Sequence, residues 1–283
     1  MKFKDWATRV MLISLIFIAL IVALLAGRAT QLQNNTPESA LAQPNPGIAP
    51  WSQYPNGQIL ASQKPSSAVN PPKSLFKTTE AFTKYRPRYE IAWADPSNYG
   101  ERYTKDVNGI RVNNLPIIVL HETSNSASSA VNFFQTPHSD ENVQASYHAM
   151  IKLDGTVIYT VPPDKRAYGA ANSVFESANG SEAVKTNLNL PPSVNNFAYH
   201  VSLETPLDGW TNTQAIHSGY TDAQYYSLAW LIAQSDVPDD RITTHQIVDR
   251  SGTRIDPRSF DGLKFLKLLH NFRQVNTIST DKK

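Results

Sequence analysis

The chain has 283 residues, a net charge of +2 at neutral pH and no cysteine. That length suits one catalytic domain with additional segments. The balanced charge argues against a nucleic-acid partner, which would call for a clustered basic patch. Without cysteine, disulfides, thiolate zinc sites and cysteine nucleophiles are all excluded.

Residues 1–27 read as a membrane anchor or signal sequence. Val10 to Ala26 is apolar apart from Ser14, and Lys2, Lys4 and Arg9 precede it. At about 17 residues the run lies at the short edge of a transmembrane helix and just beyond a typical signal-peptide core. The positive flank places the amino terminus in the cytoplasm and the rest of the chain outside it, in the cell envelope. An uncleaved anchor is the favoured reading. Ala40-Leu41-Ala42 lies too far from the run to serve as its cleavage site, and Ala26-Gly27-Arg28-Ala29 is closer but irregular. Secretion after cleavage is the alternative. Residues 28–75 are rich in Pro, Gln, Asn and Ser, too poor in apolar surface to fold alone, and are expected to form a disordered linker. At about 3 Å per extended residue this linker would reach on the order of 100 Å.

Residues 76–275 are expected to form the folded domain, with 276–283 as a flexible tail. Ile117 to Leu120 reads as a buried strand and Ser126 to Phe134 as a helix. Tyr147 to Ile151 and Val157 to Val161 alternate like strands about Asp154-Gly155, a strong hairpin signal. Tyr199 to Glu204 is a further strand. Thr221 and Gln224 form a capping box ahead of a helix carrying Tyr225, Leu228, Ala229 and Ile232 at helical spacing. Phe260, Leu263, Leu266, Leu269 and Phe272 outline a last amphipathic helix. Strands mixed with helices point to an α/β (α+β) fold with the sheet covered on at least one face.

Three polar residues stand out. His121 closes the apolar run Pro116 to Leu120, His245 closes the β-prone stretch Arg241 to Thr244, and Asp256 follows in a loop. Two imidazoles and one carboxylate leave a fourth position open on zinc, as a catalytic site requires and a structural site does not. Taken singly, each histidine is equally readable as a polar strand end.

Four blocks in order sharpen this reading. They are Val119-Leu120-His121-Glu122-Thr123, then Ala145 to Ile151 with Asp154-Gly155-Thr156, then Thr244-His245-Gln246-Ile247-Val248, then Arg254-Ile255-Asp256-Pro257. Together they resemble the zinc-dependent N-acetylmuramoyl-L-alanine amidases, the family that includes phage lysozyme-type amidases, cytosolic recycling amidases and peptidoglycan recognition proteins. The resemblance spans roughly Val112 to His270. It implies a mixed central β-sheet flanked by helices, zinc as cofactor on His121, His245 and Asp256, and peptidoglycan or muropeptides as substrate. It also implies that Tyr147 assists catalysis and that Arg254 stands where many relatives have a lysine contacting the oxyanion.

The chain departs from the family pattern in several places. The recycling branch carries a glutamate where Ser202 aligns; Glu204, two residues along the same strand face, is a candidate second base or else a salt-bridged surface group. Gly169 replaces a histidine in Asp164-Lys165-Arg166-Ala167-Tyr168-Gly169. Arg258 replaces a glycine after Asp256-Pro257, and the stretch 172–194 is long enough to lie over the cleft. His148 reads as structural, and His138, His200, His217 and His270 as surface or core residues. The expected activity is zinc-dependent hydrolysis of the bond between N-acetylmuramic acid and L-alanine. The alternatives are a binding module that keeps the fold without cutting, and an unrelated metal hydrolase such as a phosphoesterase, which would show more carboxylates at the metal.

Overall fold

The computed structural model describes residues 74–276. The apolar run Val10–Ala26 and the stretch 28–73 lie outside the described residues, as does the tail from 277. Among the described residues no helix is long and apolar enough to cross a membrane.

The centre is a mixed six-stranded sheet in the order β11 (Ile242–Thr244), β4 (Ile117–Glu122), β10 (Ala198–Leu203), β5 (Ala149–Ile151), β6 (Val157–Tyr159) and β2 (Tyr89–Ile91). The first four strands run parallel to their neighbours. β6 turns back antiparallel to β5, and β2 lies parallel to β6. At the ends of the domain β1 (Phe76–Thr78) pairs with β12 (Arg273–Val275).

β4 and β10 are buried along their whole length, so alternation assigns their residues to two different interiors. Ile118, Leu120, Tyr199, Val201 and Leu203 enter the main core. There they meet α3 (Asp222–Ala233), α5 (Gly262–Phe272) and the short α1 (Glu80–Lys84). Ile117, Val119 and Ala198 face the other way, against Phe175, Val184, Val194 and Val248. A third cluster packs Met150 and Ile158 against α2 (Ala127–Gln135) through Ala127 and Phe134. Helices thus cover one face completely, while the other is covered in part and keeps an opening at the carboxyl end of β4.

Local signals account for most element boundaries. Ser126 caps α2 by accepting from Ser129 N–H, and Thr221 with Gln224 forms the full capping box of α3. The turn between β5 and β6 closes through Lys152 and Thr156, and Gly155 sits at φ +83. A Cβ at Gly155 would also stand 2.9 Å from Ala223 O, so backbone conformation and packing both demand glycine there.

Two expectations are corrected. The strand expected from Tyr147 begins only at Ala149; Tyr147 O is taken by the Thr160 side chain, whose Oγ1 donates to it, instead of by a neighbouring strand. In α5 the buried stripe is Phe265, Leu269 and Phe272, while Leu263 is 84% exposed. Steps of three residues fall about 60° short of a full turn of a 3.6-residue helix, so an i, i+3 series drifts off the core face.

Candidate metal centre

His121 is the fifth residue of β4. It lies opposite Ser202 of β10 and on the face away from the main core. β11 pairs with β4 so that Thr244 meets Leu120, and His245 follows at once as the first residue of α4 (His245–Val248), capped by Thr244 Oγ1. Two parallel neighbours therefore present their imidazoles at the same carboxyl end, the edge where open α/β sheets bind ligands. Asp256 arrives on the loop after α4. Asp249 shapes that loop by accepting from the N–H groups of Ser251, Thr253 and Arg254. Gln246 N–H donates to Asp256 O at 2.9 Å, and the Asp256–Pro257 peptide is cis.

The three side chains converge. His245 Nδ1 is 3.1 Å from the Asp256 carboxylate and His121 Nδ1 is 3.3 Å from it. The ligand atoms of all three lie within 4.8 Å of one another. Donors held about 2.0–2.1 Å from a tetrahedral zinc stand about 3.3–3.4 Å apart, so the carboxylate-to-imidazole spacings suit the ion. His121 Nδ1 is buried and has no aligned hydrogen-bond partner among the described residues. A buried donor atom of this kind is what a metal ligand looks like without its ion. The residues present fit zinc.

The electrostatics agree. Burial lowers the His121 imidazole to about 4, so the ring is neutral at pH 7, as coordination requires. Burial would raise the Asp256 carboxyl, but the two imidazoles of His121 and His245 beside it outweigh that and hold the group ionised well below the usual range. Tyr147 stacks on His121 with ring centroids 4.5 Å apart and meets Phe134 edge-on. Burial and then the Asp256 charge push its phenol upward, so it stays protonated. Arg254 is exposed and lines the same cleft.

Glu204 departs from the expectation of a second base. It is 9% exposed and does not line the cleft. Its Oε1 accepts from Ala127 N–H at 2.8 Å and its Oε2 from Leu153 N–H at 2.9 Å. The carboxylate caps the start of α2 and ties it to the β5–β6 turn. Ser202, at the position aligned with the recycling-branch glutamate, is fully buried beside His121.

Other groups at the centre were not singled out as functional from sequence. Glu122 follows His121 on the strand, and its carboxylate accepts from Tyr220 OH, from Arg258 N–H and Nε, and lies 3.1 Å from His217 Nε2. Arg258 is 5% exposed; it also reaches Gly209 O, Gln214 O and Asn212. The arginine that replaces a glycine thus clamps the loop 209–214 to the carboxylate loop. The long stretch 172–194 divides in two. Its first half forms the hairpin β8 (Phe175–Ser177) and β9 (Gly180–Glu182), held by Arg241–Glu182 and Arg250–Glu176 pairs. Residues 186–191 line the cleft, whose volume is about 1530 Å³.

Among curated proteins none matches the chain. The solved structures it is similar to include a selenomethionine derivative of AmpD, at 25% identity over 65% of this chain and 94% of the other with a TM-score of 0.43. AmpD of Citrobacter freundii matches at 22% identity over 65% and 90% of the two chains, with a TM-score of 0.37. AmiD of E. coli, determined with the substrate anhydro-N-acetylmuramic acid-L-Ala-D-γ-Glu-L-Lys, matches at 16% identity over 61% and 66%, with a TM-score of 0.42. The family model described as N-acetylmuramoyl-L-alanine amidase matches residues 111–259, just over half the chain and the span from before β4 to past Asp256. The protein belongs to the N-acetylmuramoyl-L-alanine amidase family, hydrolases of the amide bond between N-acetylmuramic acid and L-alanine.

Proposed function

We propose that this hydrolysis depends on a zinc ion held by Nδ1 of His121, Nδ1 of His245 and the carboxylate of Asp256. The observation that carries the reading is the convergence of these three groups, at 3.1–3.3 Å across the carboxylate, beside the large cleft of an amidase-family chain. When bound there, zinc supplies a Lewis acid and lowers the pKa of a coordinated water to about 7.

The chain's own residues complete the chemistry. Tyr147, kept protonated by its burial, offers a phenolic hydrogen bond at the face of His121. Arg254 is always charged and lines the cleft, so it stabilises developing negative charge without exchanging a proton. Ser202 carries no carboxylate, which leaves Tyr147 as the protonated side chain on which this reading relies. The cleft, at about 1530 Å³, exceeds the roughly 300–1,000 Å³ typical of small-ligand pockets. That size suits a sugar carrying a peptide, so we read the substrate as peptidoglycan or a muropeptide.

The basic flank and apolar run at residues 2–26 and the Pro-rich stretch after them support a place in the cell envelope. In this reading the domain works outside the cytoplasmic membrane, tethered, or secreted after cleavage. The test is to incubate purified full-length protein in detergent with peptidoglycan, with and without a zinc chelator, and to identify products by mass spectrometry. Stem peptides beginning at L-alanine, lost on chelation and restored by zinc, are expected. Wall binding with no released peptide would overturn the reading in favour of a recognition module.

A further inference from the structure

Gly169 and His200 belong to different segments and compete for one volume. A Cβ on residue 169 would stand 2.4 Å from His200 Cγ and 2.5 Å from His200 Nδ1. No side chain tolerates such distances, so the His200 ring occupies the space that any larger residue at 169 would need. The departure from the family pattern at Gly169 therefore has a physical counterpart on β10.

The ring is placed with purpose. His200 is fully buried, and its Nδ1 lies 2.9 Å from His121 Nε2. Its backbone is pinned on both sides of the peptide: His200 N–H donates to His148 Nδ1 at 3.0 Å, and His148 N–H donates to His200 O at 2.9 Å. Its Nε2 is buried with no hydrogen-bond partner among the described residues. Packing alone would favour an apolar residue there, because an unsatisfied buried polar atom is unfavourable. What the ring gains in exchange is its contact with His121.

We propose that His200 is a positioning residue for the metal centre: its ring, admitted by Gly169, holds the His121 imidazole with Nδ1 turned toward Asp256 and His245. The inference rests on the zinc reading above. A ligating imidazole must present an unprotonated nitrogen to the ion, so His121 carries its proton on Nε2 and donates it to His200 Nδ1. This contact selects both the tautomer and the ring orientation, the office that outer partners perform at metal sites. Without it the ring can turn its Nδ1 out of the centre.

The test measures zinc affinity of the full-length protein by competition with a chelating dye, alongside thermal unfolding in excess chelator. His200→Phe keeps a ring but loses the acceptor, and is expected to weaken zinc binding by roughly 10–100-fold. His200→Asn, whose amide oxygen can take the place of Nδ1, is expected to recover most of that loss. Gly169→Ala, which displaces the ring from the neighbouring segment, is expected to weaken zinc binding in the same direction. In zinc-saturated enzyme the His200→Phe defect should fall on kcat and leave KM unchanged. If His200→Phe binds zinc as the wild type does and only its Tm moves, the ring is packing and the proposal is wrong. Should His200→Phe fail to fold, Gly169→Ala and His200→Asn decide by the same affinity criterion. A wild-type protein that binds no zinc overturns the metal reading itself, and this inference with it.

Discussion

The two faces of β4 and β10 are buried alike and built differently. On one face Ile118, Leu120, Tyr199, Val201 and Leu203 sit in an apolar core with α3 and α5. On the other, one residue along each strand, His121, His200 and Ser202 are equally buried, yet each keeps a buried nitrogen or oxygen atom with no hydrogen-bond partner among the described residues. Burial alone therefore says nothing about purpose. The first face gains about 25 cal/mol for each Å² of apolar surface removed from water. The second gives up part of that gain, and on it His121 is turned toward the point it shares with His245 and Asp256.

Four perturbations break this comparison, and a fifth refines it. The largest effect is expected from His245→Ala or Asp256→Ala: stem-peptide release should fall to background while cooperative unfolding in chelator is retained. Hydrolysis that survives either substitution would show that the centre is misassigned. The opposite face should respond in the opposite way. Leu228 and Leu231 of α3 are 0% and 1% exposed, and truncating either to Ala should cost about 2–5 kcal/mol in denaturant unfolding. The kcat of the folded fraction should be unaffected; a fall in kcat would mean that the two faces are mechanically coupled.

Acid should separate the faces without mutation. Burial lowers His121 to about 4 and His148 and His200 well below the ordinary histidine range, whereas in the unfolded chain all three titrate near 6.5. Below about 6.5 the unfolded chain binds protons that the folded chain refuses. The stability these rings contribute is thus complete above about 6.5 and is lost as pH falls toward 4. Each ring contributes a slope of up to about 1.4 kcal/mol per pH unit in that window. Denaturant titrations of chelated protein at several pH values would show it, and a flat profile would contradict the buried neutral rings.

Glu204 offers a smaller and more pointed test. As a cap for Ala127 and Leu153 it should cost about 1–3 kcal/mol on replacement by Ala. The pH profile of kcat should keep its shape; a lost limb would restore Glu204 as a base. Smallest of all, Thr221→Ala removes half of the capping box and should cost about 1 kcal/mol with no effect on zinc affinity.

What was legible in sequence follows from range. Ser126 before α2, Thr221 with Gln224 before α3, and Asp154-Gly155 between two strands act within a few residues, and the structure shows each at work. The stripe expected in α5 included Leu263 and passed over Phe265 because spacing in steps of three does not hold one helical face, and only contact with α3 and α1 selects Phe265 over Leu263. Glu204 reads in sequence as a candidate second base or a surface carboxylate because its partners, Ala127 and Leu153, lie 77 and 51 residues away. Arg258 looked like a simple departure because its carboxylate, Glu122, is 136 residues away. His200 looked like a core histidine for the same reason: its partner His121 is 79 residues distant.

Local chemistry, which any short segment carries within itself, determined the strands, caps and turns and the residue types able to serve a metal. Only the tertiary structure decided which polar groups meet. Strand register sets His121 against Ser202 and brings His245 to the same edge, and the absence of a Cβ at Gly169 leaves room for His200. Those are facts of packing between segments far apart in the chain, and no window of sequence contains them.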